Sequence, residues 1–406
     1  MRAINRRFLC GVGAGLLALP ALAAEPPADI TRAQDFDELW ETLRDRYCFF
    51  AEKATDWERA RRTYRPMAAG ATSPEAFVEA IRLTLNELYD AHTHLTDPPE
   101  GSPRWPPYDL VVAPAGDAAL VRDVLEGSVA AVAGLAPGDH VLSVDGRPVA
   151  AIAAAHVPRC LARPDPEALA YAWNVAVAGR RRRPRTVVVK PRRGARRTVE
   201  LGAPPGAGEP DLSWRRLDGG LGYVRIASFG DPATIARFDE ALEALKGAPG
   251  LILDVRRNGG GDTAVARPIM GRFIAERRPY ARMRRREGPG LGPAWTEYVD
   301  PRGPFTYLGP VVVLTDAWSA SMAEGFPMGM RGLGRARIVG TRMMGLGAAV
   351  FQIRLDRTGL QAQYSAEPVY DVGDRPRWEL RPDVETRPGE DILAAGVREL
   401  RRMAGA

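Results

Sequence analysis

Lysine is nearly absent from this 406-residue chain: of 56 basic side chains, only Lys53, Lys190 and Lys246 are lysines and the rest are arginines. The bias reads as composition rather than function. It still limits the chemistry, because no lysine follows Lys246. Cysteine and histidine are scarce too, at Cys10, Cys48, Cys160, His92, His94, His140 and His156. No CxxC, HExxH or clustered Cys/His run occurs, which argues against a zinc site. Cys10 falls in the N-terminal leader described below. Cys48 and Cys160 fall in regions of different character, so a disulfide between them is not favoured. Past the first two dozen residues no apolar run is long enough to span a bilayer. No internal repeat is visible.

What is present suits a large, exported, multidomain protein. At 45% hydrophobic residues, the chain can bury several cores, and its length suggests two or three domains. Arg2, Arg6 and Arg7 precede an apolar run from Phe8 to Leu22 and the small-residue site Ala21-Leu22-Ala23. This is the pattern of a cleavable signal peptide over residues 1–24, so the mature chain is expected to be periplasmic or secreted. Arg6-Arg7 before Phe8-Leu9 hints at twin-arginine export, and Cys10 lacks a lipobox.

Three patterns follow one another. Phe36, Leu39, Trp40, Leu43 and Tyr47 recur at helical spacing, and Ser73-Pro74-Glu75 is a helix start with Ser as cap and Pro at the first position. These predict a helical domain over 31–104 that runs into Asp90-Ala91-His92-Thr93-His94 and a proline-rich linker at 98–107. Short strands over 110–112, 119–121, 140–144, 185–189 and 197–201 predict a small β-domain over 105–205. Strand–helix alternation from about Leu212 predicts an α/β domain over 206–402.

Two turns in the last region carry chemistry. The strand Leu251–Val255 runs into Arg256-Arg257-Asn258-Gly259-Gly260-Gly261, where missing Cβ atoms let backbone N–H groups approach a ligand. The strand Val311–Thr315 runs into Trp318-Ser319-Ala320-Ser321-Met322-Ala323-Glu324. A serine there sits at a helix N-terminus, whose free N–H groups favour a developing oxyanion. The arginines at 180–183, 185, 192, 193, 196 and 197 have no interleaved aromatics. They read as a solvated hairpin surface, with an anionic membrane or an acidic partner as the minor alternative, and no nucleic-acid partner is expected.

The run Ser128 to Gly146, with Ala133-Gly134-Leu135, Gly138-Asp139 and Asp145-Gly146, resembles the PDZ signature of bacterial proteases, whose domains bind peptide ends by strand addition. With Phe36-Asp37-Glu38-Leu39-Trp40, Asp56-Trp57, Asp90-Ala91-His92-Thr93, the two turns, and Arg381-Pro382-Asp383-Val384, it makes the chain resemble family S41 peptidases from Phe36 to about Leu400. These form the C-terminal processing and tricorn-core group. The resemblance implies a multidomain α/β protein: an N-terminal helical segment, a PDZ-like small β-barrel, and an α/β core with a ClpP/crotonase-like sheet. It also implies a serine-type endopeptidase with Ser321 as nucleophile, the amides of Gly260 and Met322 as oxyanion hole, and no metal or cofactor. The base lysine of one branch would fall at Leu346, and Lys246 is poorly placed to replace it. The tricorn-like branch uses a histidine, which puts the role on His92, with His94 second. An imidazole is suited to take the serine proton at neutral pH. The tricorn serine before that histidine is Ala91 here. Asp90 or Thr93 are candidates to orient the ring, and Glu379 or Glu385 for the late acid, Glu379 being the chosen one. Glu324, one helical turn beyond Ser321, is a local alternative. The expected partner is a peptide or protein substrate. The rival readings are a catalytically inactive peptide-binding scaffold and a hydrolase of non-peptide esters or amides. Oligomeric state is not readable.

Overall fold

The computed structural model describes residues 28–202, 210–387 and 389–405. The expected signal segment, and the expected boundary at 205/206, lie outside the described residues. No described helix is long and apolar enough to cross a membrane.

Helices Ala28–Arg46, Trp57–Ala69 and Pro74–Asn86 form the first unit. Asp56 caps the second through the Arg59 amide, and Ser73 caps the third through the Ala76 amide, with Pro74 opening the helix. Phe36, Leu39, Leu43 and Tyr47 are fully buried. Trp40 and Trp57 stack at 6.4 Å, and each indole N–H donates to the other's carbonyl, at 2.9 and 3.1 Å. The periodic apolar face packs on Ile353, Ala362 and Tyr364, far along the chain.

The middle unit is a sheet of Leu110–Ala115, Ala118–Val124, His140–Val144, Arg185–Lys190 and Arg197–Leu201, in that order. Helix Pro166–Ala178, capped by Asp165, packs against it and has no counterpart in the sequence reading above. Its alanine-rich face carries only a weak periodic signal. Arg185, expected on a solvated hairpin, is instead buried in an ion pair with Asp109 at 2.5 Å. Burial of this pair is tolerable because both charges go in together. Cys48 and Cys160 are both buried and free.

The last unit is built on a six-stranded sheet ordered Val384–Glu385, Arg337–Gly340, Val311–Thr315, Leu251–Asp254, Gly222–Ile226, Leu212–Arg216. All neighbours are parallel except the last pair. Leu251–Asp254 and Val311–Thr315 are central and wholly buried, as continuous apolar runs require. Helices Ala233–Leu245, Thr263–Met270, Met322–Gly332 and Ile392–Ala404 cover the sheet. A second, antiparallel sheet joins Arg278–Met283, Trp295–Val299, Ala348–Arg354 and Gln361–Tyr370. The two-residue strand His94–Leu95 pairs with it, His94 opposite Gln363. This pairing carries the Asp90–His94 segment from the helical unit onto the α/β unit.

Candidate active site

The two chemical turns are zipped together where the central strands end. Asn258 is fully buried: its Nδ2 donates to the Ile226 carbonyl at 3.0 Å, and its own carbonyl accepts the Ala320 amide at 2.9 Å. A Cβ on Gly260, which has φ +105°, would lie 2.8 Å from both the Ala320 oxygen and the Ser321 Cβ, so only glycine fits against the second turn. Asp316 is half-buried and accepts the Arg257 and Trp318 amides, both at 3.0 Å.

The two serines of the second turn differ sharply. Ser319 is fully buried; its hydroxyl donates to the Val255 carbonyl at 2.8 Å and accepts the Asp316 amide at 3.0 Å. That hydroxyl is spent on holding the turn. Ser321 sits just before helix Met322–Gly332, at φ 54° and ψ −114°, and borders a cavity of about 390 Å³. A non-glycine residue in such a region carries strain on the order of 1–3 kcal/mol, which the surrounding bonds must hold. The Glu324 carboxylate does so, accepting the Ser321 amide at 2.9 Å and the Gly345 and Leu346 amides at 2.6 and 2.8 Å. Burial pushes the Glu324 carboxyl up to about 7, against the opposing pull of Arg377 and those amides.

The expected oxyanion donors divide. Met322, first residue of its helix, has an amide that meets no acceptor among the described residues, as at helix starts generally. The Gly260 amide is not free: it donates to Asn258 Oδ1 at 2.7 Å. The neighbouring Gly261 amide meets no acceptor among the described residues, and Gly261 borders the same cavity as Ser321 and Met322. A glycine run in sequence does not reveal which of its amides a buried asparagine will take.

His92 is buried and makes no hydrogen bond to Ser321. Its ring Nδ1 has no hydrogen-bond partner among the described residues, and its backbone amide donates to Asp90 Oδ1 at 2.9 Å. Burial lowers its pKa to about 4, with Asp90 opposing and Arg377 and His94 adding to the shift. Asp90 also accepts the hydroxyls of Thr93 and Ser365, both at 2.8 Å, so Asp90 and Thr93 brace the backbone around His92 rather than its ring. His94 points elsewhere, stacking on Trp105 at 3.7 Å with Nδ1 on the Leu95 carbonyl.

The late acids are not brought to the histidine. Glu379 is exposed at the end of a short 3-10 turn and has no bond to His92, and Glu385 is exposed on an edge strand beside Arg381. The same turn instead supplies Arg377, a buried side chain that a chain so rich in arginine did not single out. Lys246 is exposed and paired with Glu243. Leu346, at the expected lysine position, gives its amide to Glu324 and its carbonyl to Arg377. Residues 343–347, with Asp90 and Ala91, also line a second cavity of about 570 Å³. The PDZ-like unit touches both turns: Trp318 Nε1 of the serine turn donates to Asp123 at 2.7 Å, and Arg257 of the glycine turn pairs with Glu126 at 3.4 Å.

Residues 220–386 match the model of peptidase family S41, residues 29–97 the tricorn protease C1 domain, and residues 120–169 a PDZ domain. A chloroplastic C-terminal processing peptidase of Tetradesmus obliquus is 25% identical over 418 residues, covering 95% of this chain and 83% of that one. The carboxy-terminal processing protease CtpB of Bacillus subtilis is 31% identical over 134 residues, 31% of this chain and 25% of that one. Among solved structures, a photosystem II D1 C-terminal processing protease superposes with a TM-score of 0.59 at 21% identity, over 92% of this chain and 97% of that one. Mature CPAF does so with a TM-score of 0.61 at 15% identity, over 93% and 97%. Helical segment, PDZ domain and α/β core thus stand in the order of those matches, and the α/β core, over residues 220–386, is the part that matches peptidase family S41.

Proposed function

We propose that this chain is an exported serine-type endopeptidase that cleaves peptide or protein substrates by acyl transfer, in a mature chain organised as residues 31–104, 105–205 and 206–402. The observation that carries the reading is Ser321 itself. It is held at a strained strand-to-helix turn, its neighbour Ser319 is spent on structure, and a cavity opens beside it. In this reading Ser321 Oγ attacks the scissile carbonyl while His92 takes its proton. The Met322 and Gly261 amides hold the oxyanion, Gly261 replacing Gly260. As the C–N bond breaks, His92 returns the proton to the leaving amine, and water then releases the acyl group by the same route. Glu379 takes no part in this scheme. The PDZ domain presents the substrate or gates the cleft.

His92, neutral above about pH 4, is in the form a base needs. It meets Ser321 when substrate draws the two together, as catalytic hydrogen bonds often tighten only in the complex. The absence of a Ser321–His92 bond and of the lysine at Leu346 favours a second reading, a peptide-binding protein without hydrolysis. Labelling by a serine-reactive fluorophosphonate separates the two. The wild type takes the label, Ser321→Ala loses it, and His92→Ala slows it at least a hundredfold. A wild type that never takes the label supports the binding reading. Peptide and ester substrates offered to the same proteins identify the class of bond cleaved.

A further inference from the structure

The cavity beside Ser321 has apolar walls from Tyr280, Met283, Met328, Val350 and Val369, and one buried cation, Arg377. Only 5% of Arg377 is exposed. Its Nε and Nη2 donate to the Leu346 carbonyl at 3.2 and 2.6 Å, and Nη2 also to the Ala348 carbonyl at 3.0 Å. Nη1 donates to no acceptor among the described residues. It lies beside Gly325, another cavity residue, where an added Cβ would stand 3.3 Å from it. No carboxylate among the described residues reaches ion-pair distance of this guanidinium. Glu324 is the nearest acid by charge effect, but its oxygens are taken up by three backbone amides. Asp262, the carboxylate on the cavity wall, is exposed and caps its own helix through the Ala264 amide at 2.8 Å.

A buried guanidinium without a counter-ion is costly, and tying two carbonyls together does not require a positive charge. One unspent guanidinium nitrogen at the wall of a largely apolar cavity is suited to an anionic acceptor such as a carboxylate. Resting on the peptidase reading, we propose that Arg377 makes the cavity beside Ser321 a carboxylate-binding subsite, which selects peptides carrying an acidic side chain or a free α-carboxylate at the segment lodged there. The aliphatic part of that residue would lie against the methionines and Val350, with the charge meeting Nη1.

The test uses full-length protein and N-acetylated hexapeptides that differ only by Glu or Gln at one scanned position, each with a free or amidated C-terminus. Binding is measured by calorimetry, and protection of Ser321 from the fluorophosphonate is timed alongside. The expected result is at least tenfold tighter binding of the charged member of a pair. A Glu/Gln difference assigns the carboxylate to a side chain, and a free-acid/amide difference assigns it to the chain terminus. Arg377→Met abolishes the difference and Arg377→Lys restores part of it. Met328→Glu, which fills the cavity with an internal carboxylate, abolishes it too and serves if Arg377→Met does not fold. Equal affinity within pairs, no binding by any peptide, or a preference that survives Arg377→Met or Met328→Glu overturns the proposal. Loss of labelling with the affinity difference intact would sink the peptidase reading alone.

Discussion

The indole N–H of Trp318 donates to the Asp123 carboxylate at 2.7 Å, so the turn that ends in Ser321 is bonded to the second strand of the PDZ sheet, 195 residues away in sequence. A hydrogen bond to a charged acceptor contributes about 1.5–3 kcal/mol. In a double-mutant cycle with Asp123→Ala and Trp318→Phe, the coupling energy is expected to be about 1–2 kcal/mol in urea unfolding. Additivity of the two substitutions would show that the contact contributes nothing to stability.

Gly260→Ala places a Cβ against the Ser321 turn at a backbone φ of +105°. The turn must shift or the strain must be carried, at a cost on the order of 1–3 kcal/mol. Fluorophosphonate labelling is expected to fall at least tenfold, with circular dichroism unchanged and Tm lowered by several degrees. Gly259→Ala, whose Cβ would meet nothing within 4 Å, is the matched control and keeps labelling near wild type.

Glu324 gives a pH signature. Its folded pKa, about 7, lies above the ordinary 4.5, so between those values the native state holds more protons than the unfolded chain. Stability from this group is full below pH 4.5 and is lost as pH rises through 7. Glu324→Gln removes the titration. The stability of wild type relative to the variant should therefore fall with rising pH, by up to about 1.4 kcal/mol per unit inside that window. A difference independent of pH between 4.5 and 7 would contradict the assignment.

His92 has the opposite sign. Its folded pKa, about 4, lies below the ordinary 6.5, so its stabilising share is present above 6.5 and lost as pH falls through 4. For a base of this pKa, the labelling rate of Ser321 is expected to rise with pH through about 4 and to be level near neutrality. A rate that instead rises through 6 to 7 would point to a base other than His92 in this environment.

The layered architecture was readable because each unit announces itself locally. Continuous apolar runs at Leu251–Asp254 and Val311–Thr315 belong only in central strands, and Ser73-Pro74 opens a helix wherever it stands. The strand–turn–helix order around Ser321 was readable for the same reason, while the choice of Ser321 over Ser319 came from the family resemblance. What escaped are relations between distant segments. Nothing local says that Asn258 will take the Gly260 amide, that Glu379 will face water while Arg377 two residues earlier turns inward, or that Arg185 alone of its basic cluster will meet Asp109 in the interior. Those outcomes depend on which side of a turn faces the core. In a helix such as Pro166–Ala178, rich in alanine, even that alternation is faint.

The short pairing of His94–Leu95 with Gln361–Tyr370 sets a schedule for biosynthesis. Beyond its local bonds to Asp90, the segment that carries His92 receives hydrogen-bonded support from Gln363 and Ser365, which leave the ribosome some 270 residues later. Contacts of such sequence separation form late, because the chain must first close a long loop. A nascent or truncated chain ending before residue 360 could fold its helices and PDZ sheet while His92 remained without this support. Under the scheme proposed above, such a chain would carry Ser321 but lack the brace for its base, and would gain its chemistry only once residues 361–370 are in place.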